Sequence, residues 1–274
     1  MHSNFIKGLK VLRQDNRKEF KLSSKVVFFS KPFFLCEIKE FLDEEYYQKL
    51  YNEFPPIELF EKSNSDKGLK KALDVRSKTI EIFLASNPIW REFTSGINTH
   101  KNSLFLKDLF HSRIPKRGVF KDRDWFTEVD YYTKKKVHIE GQRPKNVNLV
   151  RYSFEFSHLG NDAYIPPHTD SETKIITMII YFPDPEVSWN GGCYGTYFYK
   201  SKKSNNALNS WDSVHLEGAR LAWFRENYNI LYYAKFEPNK LLIFLKSDKS
   251  WHEVKKLTKL KSTRKAFIIN MFCR

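Results

Sequence analysis

The second half of the chain constrains the fold most, because it contains eight short β-prone runs with no clear helical pattern between them. Turn-forming residues separate these runs, which cover residues 147–154, 175–181, 195–199, 221–224, 230–236, 240–246, 251–254 and 264–272. Short strands in such a succession are typical of a jelly roll, in which two antiparallel sheets face each other. The sequence therefore predicts a double-stranded β-helix of the cupin type.

The first half of the chain shows helical patterns around one early strand. Asp43 is expected to cap a helix whose apolar residues follow at helical spacing, and Asn87 followed by Pro88 is expected to open another. Residues 103–110 form a third predicted helix, and residues 26–29 have strand character. This region therefore differs in kind from the β-rich half.

Together the two patterns predict an α+β fold in one domain, residues 1–274. A mostly helical N-terminal region, residues 1–145, is expected to pack on a jelly-roll core, residues 146–274. The chain has 24 Phe and 14 Tyr, so the core is expected to be rich in aromatic rings.

The formal net charge of +15 invites an anionic partner, but the pattern of basic residues does not support one. Lysines occur in dispersed short groups such as Lys134–Lys136, outside any recognisable nucleic-acid motif. A solvated basic surface is the preferred interpretation. The three cysteines form no CxxC pair, and no apolar run reaches the roughly 18 residues that span a bilayer. We expect a soluble, cytoplasmic protein that does not interact with membranes.

Three residues suggest a metal site: His168, Asp170 and, 84 positions after the first histidine, His252. Two imidazoles and one carboxylate can occupy one face of an octahedral ferrous ion and leave adjacent positions open. In extended backbone His168 and Asp170 would point to the same side, and the preceding prolines disfavour helix. A lone HxD occurs often by chance, and other histidines compete, namely His100, His111, His138, His158 and His215. The pattern alone therefore does not establish a site.

Several segments in the expected order carry a family resemblance. They are Leu149–Tyr152, Ile165–Asp170, Ile176–Tyr181, the pair Gly191-Gly192, Leu241–Phe244 leading to Trp251–Val254, and Arg264 inside an apolar run. Over residues 147–274 the chain resembles the prolyl-4-hydroxylase-like family of 2-oxoglutarate/Fe(II)-dependent oxygenases. Similarity before residue 147 is weaker. The resemblance implies an enzyme in which His168, Asp170 and His252 hold Fe(II).

The same resemblance implies that Arg264 grips the distal carboxylate of 2-oxoglutarate, with Tyr152 and Tyr181 adding phenolic hydrogen bonds. The expected reaction consumes O2, releases succinate and CO2, and hydroxylates the substrate, with ascorbate as an additional cofactor to be tested. Related halogenases lack the carboxylate, so Asp170 favours hydroxylation. One departure is Ala266, where many relatives carry a hydroxyl that contacts the cosubstrate.

The sequence leaves two other functions open. A nucleic-acid demethylase would use the same iron chemistry, but such enzymes carry a second Arg where this chain has Asn270. A non-catalytic jelly-roll binding protein is the other, and the intact metal ligands argue against it. The substrate stays open between an amino acid, a peptidyl proline, and a sugar or other small metabolite, because fold does not fix function. The oligomeric state is not indicated by the sequence.

Overall fold

The computed structural model describes residues 4–10, 12, 25–62, 70–75, 77–110, 125–127, 148–187, 189, 194–203 and 215–273. The Gly191-Gly192 pair and the lysines Lys134–Lys136 lie outside these residues. No helix within the described ranges has the length and apolarity needed to cross a lipid bilayer.

Thirteen strands lie in the described part of the chain. In chain order they are β1 (Val26–Phe29), β2 (Leu35–Ile38), β3 (Glu61–Lys62), β4 (Lys70–Asp74), β5 (Trp125–Thr127), β6 (Asn148–Leu159), β7 (Ile165–His168), β8 (Lys174–Tyr181), β9 (Thr196–Ser201), β10 (Tyr228–Ala234), β11 (Leu241–Leu245), β12 (His252–Val254) and β13 (Arg264–Cys273). They form a larger sheet in the order β1-β2-β11-β8-β13-β6-β4-β3, with β5 parallel to β6, and a smaller sheet in the order β10-β9-β12-β7.

Strands β6 to β13 have the arrangement of a jelly roll. β6, β8, β11 and β13 lie side by side in the larger sheet, whereas β7, β9, β10 and β12 make up the smaller one. An apolar layer joins the two sheets and includes Tyr181 and Phe244 from the larger and Phe198 from the smaller. The predicted combination of helices with antiparallel sheets is confirmed.

One of the eight predicted strands is wrong. Residues 221–224 lie in helix α6 (Gly218–Asn227), whose alanines, arginines and leucine are strong helix formers. Within this helix only Phe224 is buried, so the run Leu-Ala-Trp-Phe does not belong to a buried strand. The missing eighth strand is β7, whose two prolines obscured its strand character in the sequence.

The N-terminal helices cover the outer face of the larger sheet. They are α1 (Asn4–Leu9), α2 (Glu44–Asn52), α3 (Lys78–Ser86), α4 (Pro88–Ile97) and α5 (His100–Phe110), with a short 3-10 turn at Ile57–Leu59. The side chains of Asp43 and Asn87 accept hydrogen bonds from the first turns of α2 and α4, as predicted. Trp90 of α4 packs on Phe156 and Phe267 of the sheet, with ring centroids 4.7 and 4.8 Å apart.

The N-terminal region is less purely helical than the sequence suggested. It supplies β1 and β2 beside β11 at one side of the larger sheet, and β3 and β4 beside β6 at the other. β2 pairs with β1 on one side and with β11 on the other. It is buried along its whole length because Leu35 packs in the layer between the sheets, while Cys36 and Ile38 pack in the core with the helices. The region therefore extends the sheet as well as covering it.

Strand alternation separates the two faces of the larger sheet. On β6, Tyr152, Phe154 and Phe156 face the helices, whereas Arg151 and Ser153 face the space between the sheets. β13 alternates in the same way, with Phe267 among the helices and Arg264 between the sheets. Because side chains on a strand alternate with period two, one strand serves both the core and the interior cavity.

Candidate active site

A cavity of about 420 Å³ opens between the two sheets. His168, Asp170 and His252 line it, together with Arg264 and Thr196. The wall formed by β6 is polar, with Arg151, Ser153, Glu155 and Ser157 facing inward. A concave site with several convergent polar groups is the expected form of a small-molecule binding site.

The fold brings together the three residues that the sequence proposed as metal ligands. His168 lies at the end of β7 and His252 at the start of β12, and the two are direct partners across the smaller sheet. Their ring centroids are 4.2 Å apart, and Asp170 Oδ1 lies 3.7 Å from His168 Nε2. One ligand atom from each of the three residues lies within 4.8 Å of the other two. Pairing of the two short strands thus joins residues that are distant in sequence.

Backbone contacts determine which imidazole nitrogens face the cavity. His168 Nδ1 lies 2.9 Å from the carbonyl oxygen of Pro166, and His252 Nδ1 lies 2.9 Å from that of Ser250. A carbonyl oxygen only accepts hydrogen bonds, so each Nδ1 carries the proton and donates it. Each neutral ring therefore keeps a lone pair on Nε2, as metal-binding histidines do when their other nitrogen is held by a backbone carbonyl.

Asp170 reaches the site through a turn and not through an extended strand, which corrects the simple alternation argument. β7 ends at His168, and Asp170 has a φ of 37°, in the left-handed region. This conformation is uncommon for residues other than glycine, although Asp tolerates it better than most. Lys174 Nζ donates to Asp170 Oδ1 at 2.8 Å, and Thr177 Oγ1 donates to Oδ2 at 2.8 Å. The carboxylate is therefore oriented by β8 as well as by its own turn.

The ionisation of the three groups suits metal binding. Burial lowers the pKa of His168 and of His252, which keeps both imidazoles neutral. Burial alone would raise the pKa of Asp170, but attraction to the Lys174 ammonium and the hydrogen bond that Lys174 donates outweigh this effect and hold that pKa well below its usual range. Metal ligands must be deprotonated, and here the fold itself favours that state.

The donor set fits ferrous iron. Two imidazole nitrogens and one carboxylate oxygen converge on one point and are buried, with exposed fractions of 9% for His168, 7% for Asp170 and 7% for His252. Imidazole with carboxylate is the ligand combination of the 2-His-1-carboxylate iron sites, whereas the absence of thiolate from the triad does not favour a structural zinc site.

Arg264 lies in the same cavity and is 3% exposed. Its Nε donates to the carbonyl oxygen of Tyr194 at 2.6 Å, and its guanidinium carbon lies 5.1 Å from the centre of the Tyr181 ring. Burial lowers its pKa, and attraction to Tyr181 opposes this. Within the described residues, no carboxylate lies within ion-pair distance of Arg264. A buried guanidinium without an acid is costly, and an anionic ligand would offset that cost.

The two tyrosines of the predicted cosubstrate site lie in different places. Tyr181 packs against Arg264, and its hydroxyl lies 2.7 Å from Thr196 Oγ1, which lines the cavity. Tyr152 faces the helices instead and accepts a hydrogen bond from Ser103 Oγ at 3.3 Å. The sequence prediction for Tyr152 is wrong in geometry, because strand alternation places its side chain on the other face of the sheet.

Other residues at the site were missed by the sequence argument. Lys174 and Thr177 hold the Asp170 carboxylate, Thr196 joins Arg264 to Tyr181, and His215 packs edge-on against His168 with ring centroids 4.8 Å apart. The spacing of Lys174, four residues after Asp170, was a weak signal. Thr177 lies seven residues after Asp170, and Thr196 and His215 are farther in sequence from the side chains that they contact, so the fold is needed to reveal these contacts.

Comparison with known proteins gave matches among solved structures alone. No family model matches the chain, and the search of curated proteins found no match. A prolyl 4-hydroxylase from Pseudomonas putida is 11% identical, with a TM-score of 0.43 and coverage of 89% of this chain and 94% of its own. A prolyl hydroxylase from Trichoplax adhaerens, solved with a hypoxia inducible factor peptide, is 12% identical, with a TM-score of 0.43 and coverage of 98% and 90%.

A third solved structure is an oxidoreductase of the 2OG-Fe(II) oxygenase family from Burkholderia pseudomallei. It is 10% identical, has a TM-score of 0.43, and the match covers 97% of this chain and 89% of that one. These three solved structures are two prolyl hydroxylases and one 2OG-Fe(II) oxygenase. At these identities and TM-scores, the activity has to be inferred from the chain's own side chains.

Proposed function

We propose that this protein is a 2-oxoglutarate- and Fe(II)-dependent dioxygenase that hydroxylates a small polar substrate. One observation carries the proposal: a buried His-Asp-His cluster and a buried guanidinium without an acidic partner among the described residues line the same cavity. The first group suits a ferrous ion and the second a carboxylate, and 2-oxoglutarate needs both. When bound, iron would supply the activation of O2 that is coupled to release of succinate and CO2.

In this proposal His168, Asp170 and His252 hold the metal. The Pro166 and Ser250 carbonyls keep both rings in the tautomer that presents Nε2, so binding requires no proton transfer within the rings. Lys174 and Thr177 limit the movement of the Asp170 carboxylate. Preorganised ligands of this kind lose little orientational freedom on binding, which strengthens the site.

Arg264 is proposed to bind the distal carboxylate of 2-oxoglutarate. Its planar guanidinium can pair with both carboxylate oxygens, which lysine cannot do. Thr196 accepts a hydrogen bond from Arg264 Nη2 at 3.4 Å and lies next to the Tyr181 hydroxyl, so the far end of the cosubstrate would meet two hydroxyl groups as well as the cation.

The polar wall of β6 supports a substrate with charged or hydroxyl groups. Glu155 pairs with Lys70 at 2.7 Å, and Ser153 and Arg151 face inward on the same strand. Ser157 is 1% exposed, and within the described part of the chain its hydroxyl has no hydrogen-bond partner. Such groups would be costly beside an apolar ligand. A free amino acid or a sugar-like metabolite fits this wall, and a peptidyl proline remains an alternative in the proposal.

The other functions are less well supported. The position of a demethylase's second arginine is taken by Asn270, whose Oδ1 lies 3.5 Å from Thr177 Oγ1 beside the metal cluster. A binding protein without catalysis would not require both oriented imidazoles and the carboxylate. Cytoplasmic location stays part of the proposal.

The test is an anaerobic titration with Fe(II) and 2-oxoglutarate, followed by a substrate screen. Chelation of ferrous iron by a 2-oxo acid gives a weak visible absorption band, which we expect here and not with the His168→Ala variant. The screen would measure succinate release with Fe(II), ascorbate and O2 over amino acids, proline peptides and sugars. Absence of both the band and succinate release at saturating ligand would refute the proposed function.

A further inference from the structure

The residue between His168 and Asp170 is held by a buried lysine that no sequence motif indicated. Lys246 follows the last residue of β11 and is 2% exposed. Its Nζ donates to the backbone carbonyl oxygen of Thr169 at 2.8 Å and to Thr169 Oγ1 at 2.9 Å. Thr169 itself is fully buried. Both contacts are therefore made with Thr169, the single residue between His168 and Asp170.

The contact with the Thr169 carbonyl acts directly on the conformation of Asp170. That carbonyl belongs to the peptide group that contains the Asp170 nitrogen, and a peptide group is planar. The φ angle of Asp170 is the rotation about its N–Cα bond, which starts from this peptide plane, and its value is 37°. A left-handed conformation at a residue other than glycine persists only where the surroundings impose it. Lys246 fixes the plane from which Asp170 turns toward the histidines.

Lys246 is well placed to hold Thr169 because its own backbone is fixed. Its N–H donates to the carbonyl oxygen of Ile175 at 2.9 Å, and the β11–β8 pairing ends at the adjacent Leu245 and Ile176. Lys174, next to Ile175, contacts the Asp170 side chain. Two lysines thus act on one turn: Lys174 contacts the carboxylate, and Lys246 contacts the backbone that presents it.

Burying an ammonium group costs free energy unless strong acceptors surround it, so the burial of Lys246 next to the metal cluster requires an explanation. We propose that Lys246 is a positioning residue for the metal cluster, which keeps Thr169 fixed so that Asp170 and His168 converge on one ion. The inference rests on the proposed function, because it assumes that the cluster binds Fe(II). It assigns to Lys246 an effect on metal affinity and not on the binding of 2-oxoglutarate.

The test compares Lys246→Met, which keeps the length of the side chain and removes the charge, with Lys246→Arg, which retains a cation. Anaerobic calorimetry would measure Fe(II) affinity, and the visible spectrum of bound Co(II) would report the coordination geometry. We expect Lys246→Met to weaken Fe(II) binding by about 10- to 100-fold, the range seen when outer partners of metal ligands are removed. Lys246→Arg should recover part of this loss.

Two further variants make the test specific. Thr169→Val removes the hydroxyl acceptor but keeps the carbonyl, so we expect a smaller loss of Fe(II) affinity than in Lys246→Met. Lys249→Met removes an exposed lysine three positions later and should leave the affinity unchanged. In metal-saturated Lys246→Met, the KM for 2-oxoglutarate should stay within about twofold of wild type, because Arg264 is untouched.

Normal Fe(II) affinity and a normal Co(II) spectrum in Lys246→Met, with only a lower Tm of the metal-free protein, would overturn the inference. If Lys246→Met does not fold, the Fe(II) affinities of Lys246→Arg and Thr169→Val decide: losses support the inference, and wild-type values in both overturn it. Failure of the wild-type protein to bind Fe(II) would instead refute the proposed function, so the two results are distinguishable.

Discussion

The two faces of the larger sheet carry different kinds of side chain. The outer face packs against the helices through aromatic rings such as Phe154, Phe156 and Phe267, all of which are fully buried or nearly so. The inner face of the same strands carries charged and hydroxyl side chains around a cavity. The outer face stabilises the fold through apolar burial, whereas the inner face places polar groups where they cost stability. Along β6 and β13, alternate residues therefore serve different purposes: those on the outer face stabilise the fold, and those on the inner face form the proposed active site.

The largest expected effect lies on the inner side, at the metal cluster. His168→Ala removes one of three ligands and should abolish Fe(II)-dependent succinate release while the protein remains folded, because the ring contributes little to the apolar core. Anaerobic Fe(II) binding and circular dichroism would check both points. His215→Ala provides the matched control: its ring also lines the cavity but is not in the cluster, so Fe(II) binding should persist. Loss of Fe(II) binding in both variants would contradict the assignment of the metal ligands, because His215 is not among them.

An outer-face substitution should produce the opposite pattern. Phe156→Ala removes a fully buried ring that contacts Trp90 and Phe267, and it should lower the free energy of unfolding by about 3–5 kcal/mol. Denaturant unfolding would measure the loss. At low temperature the folded fraction should keep its Fe(II) affinity and its KM for 2-oxoglutarate. A large change in either constant would show that the two faces are coupled more strongly than their separation by strand alternation implies.

Arg264 tests the other end of the cavity. Arg264→Ala should raise the KM for 2-oxoglutarate by about 10- to 100-fold, because charge-assisted hydrogen bonds contribute roughly 1.5–3 kcal/mol each. Arg264→Lys should recover only part of the loss, since lysine cannot form the two parallel bonds. Fe(II) affinity should stay near that of wild type in both variants. An unaltered KM would assign carboxylate binding to another cavity residue.

The smallest expected effect separates the two tyrosines. Tyr181→Phe removes a hydroxyl next to Thr196 and Arg264, so a rise of about three- to tenfold in the KM for 2-oxoglutarate is expected from the loss of one neutral hydrogen bond. Tyr152→Phe removes a hydroxyl that contacts Ser103 on the helix side and should leave this KM unchanged. Equal effects in the two variants would contradict the assignment of Tyr152 to the outer face.

Local patterns in the sequence predicted much of the fold. The caps at Asp43 and Asn87 are correct, because capping depends on a side chain and the backbone only a few residues away. The runs that became β6, β8, β11 and β13 were visible from their apolar and β-branched residues. The strand expected at residues 221–224 is helix α6, and β7 was missed. Short segments with mixed propensity depend on what they pack against, which is not visible locally.

The sequence by itself identified the candidate metal ligands His168, Asp170 and His252. It also identified Arg264 as the candidate for binding the cosubstrate carboxylate, because residue chemistry and order along the chain can be read without the fold. The tertiary structure alone decided that His168 and His252 are strand partners and that Lys246 holds Thr169. It also decided that Tyr181 lies beside Thr196 and Arg264 while Tyr152 faces the helices. The physical reason is that each of these facts depends on strand pairing and register, which arise from contacts between residues distant in sequence.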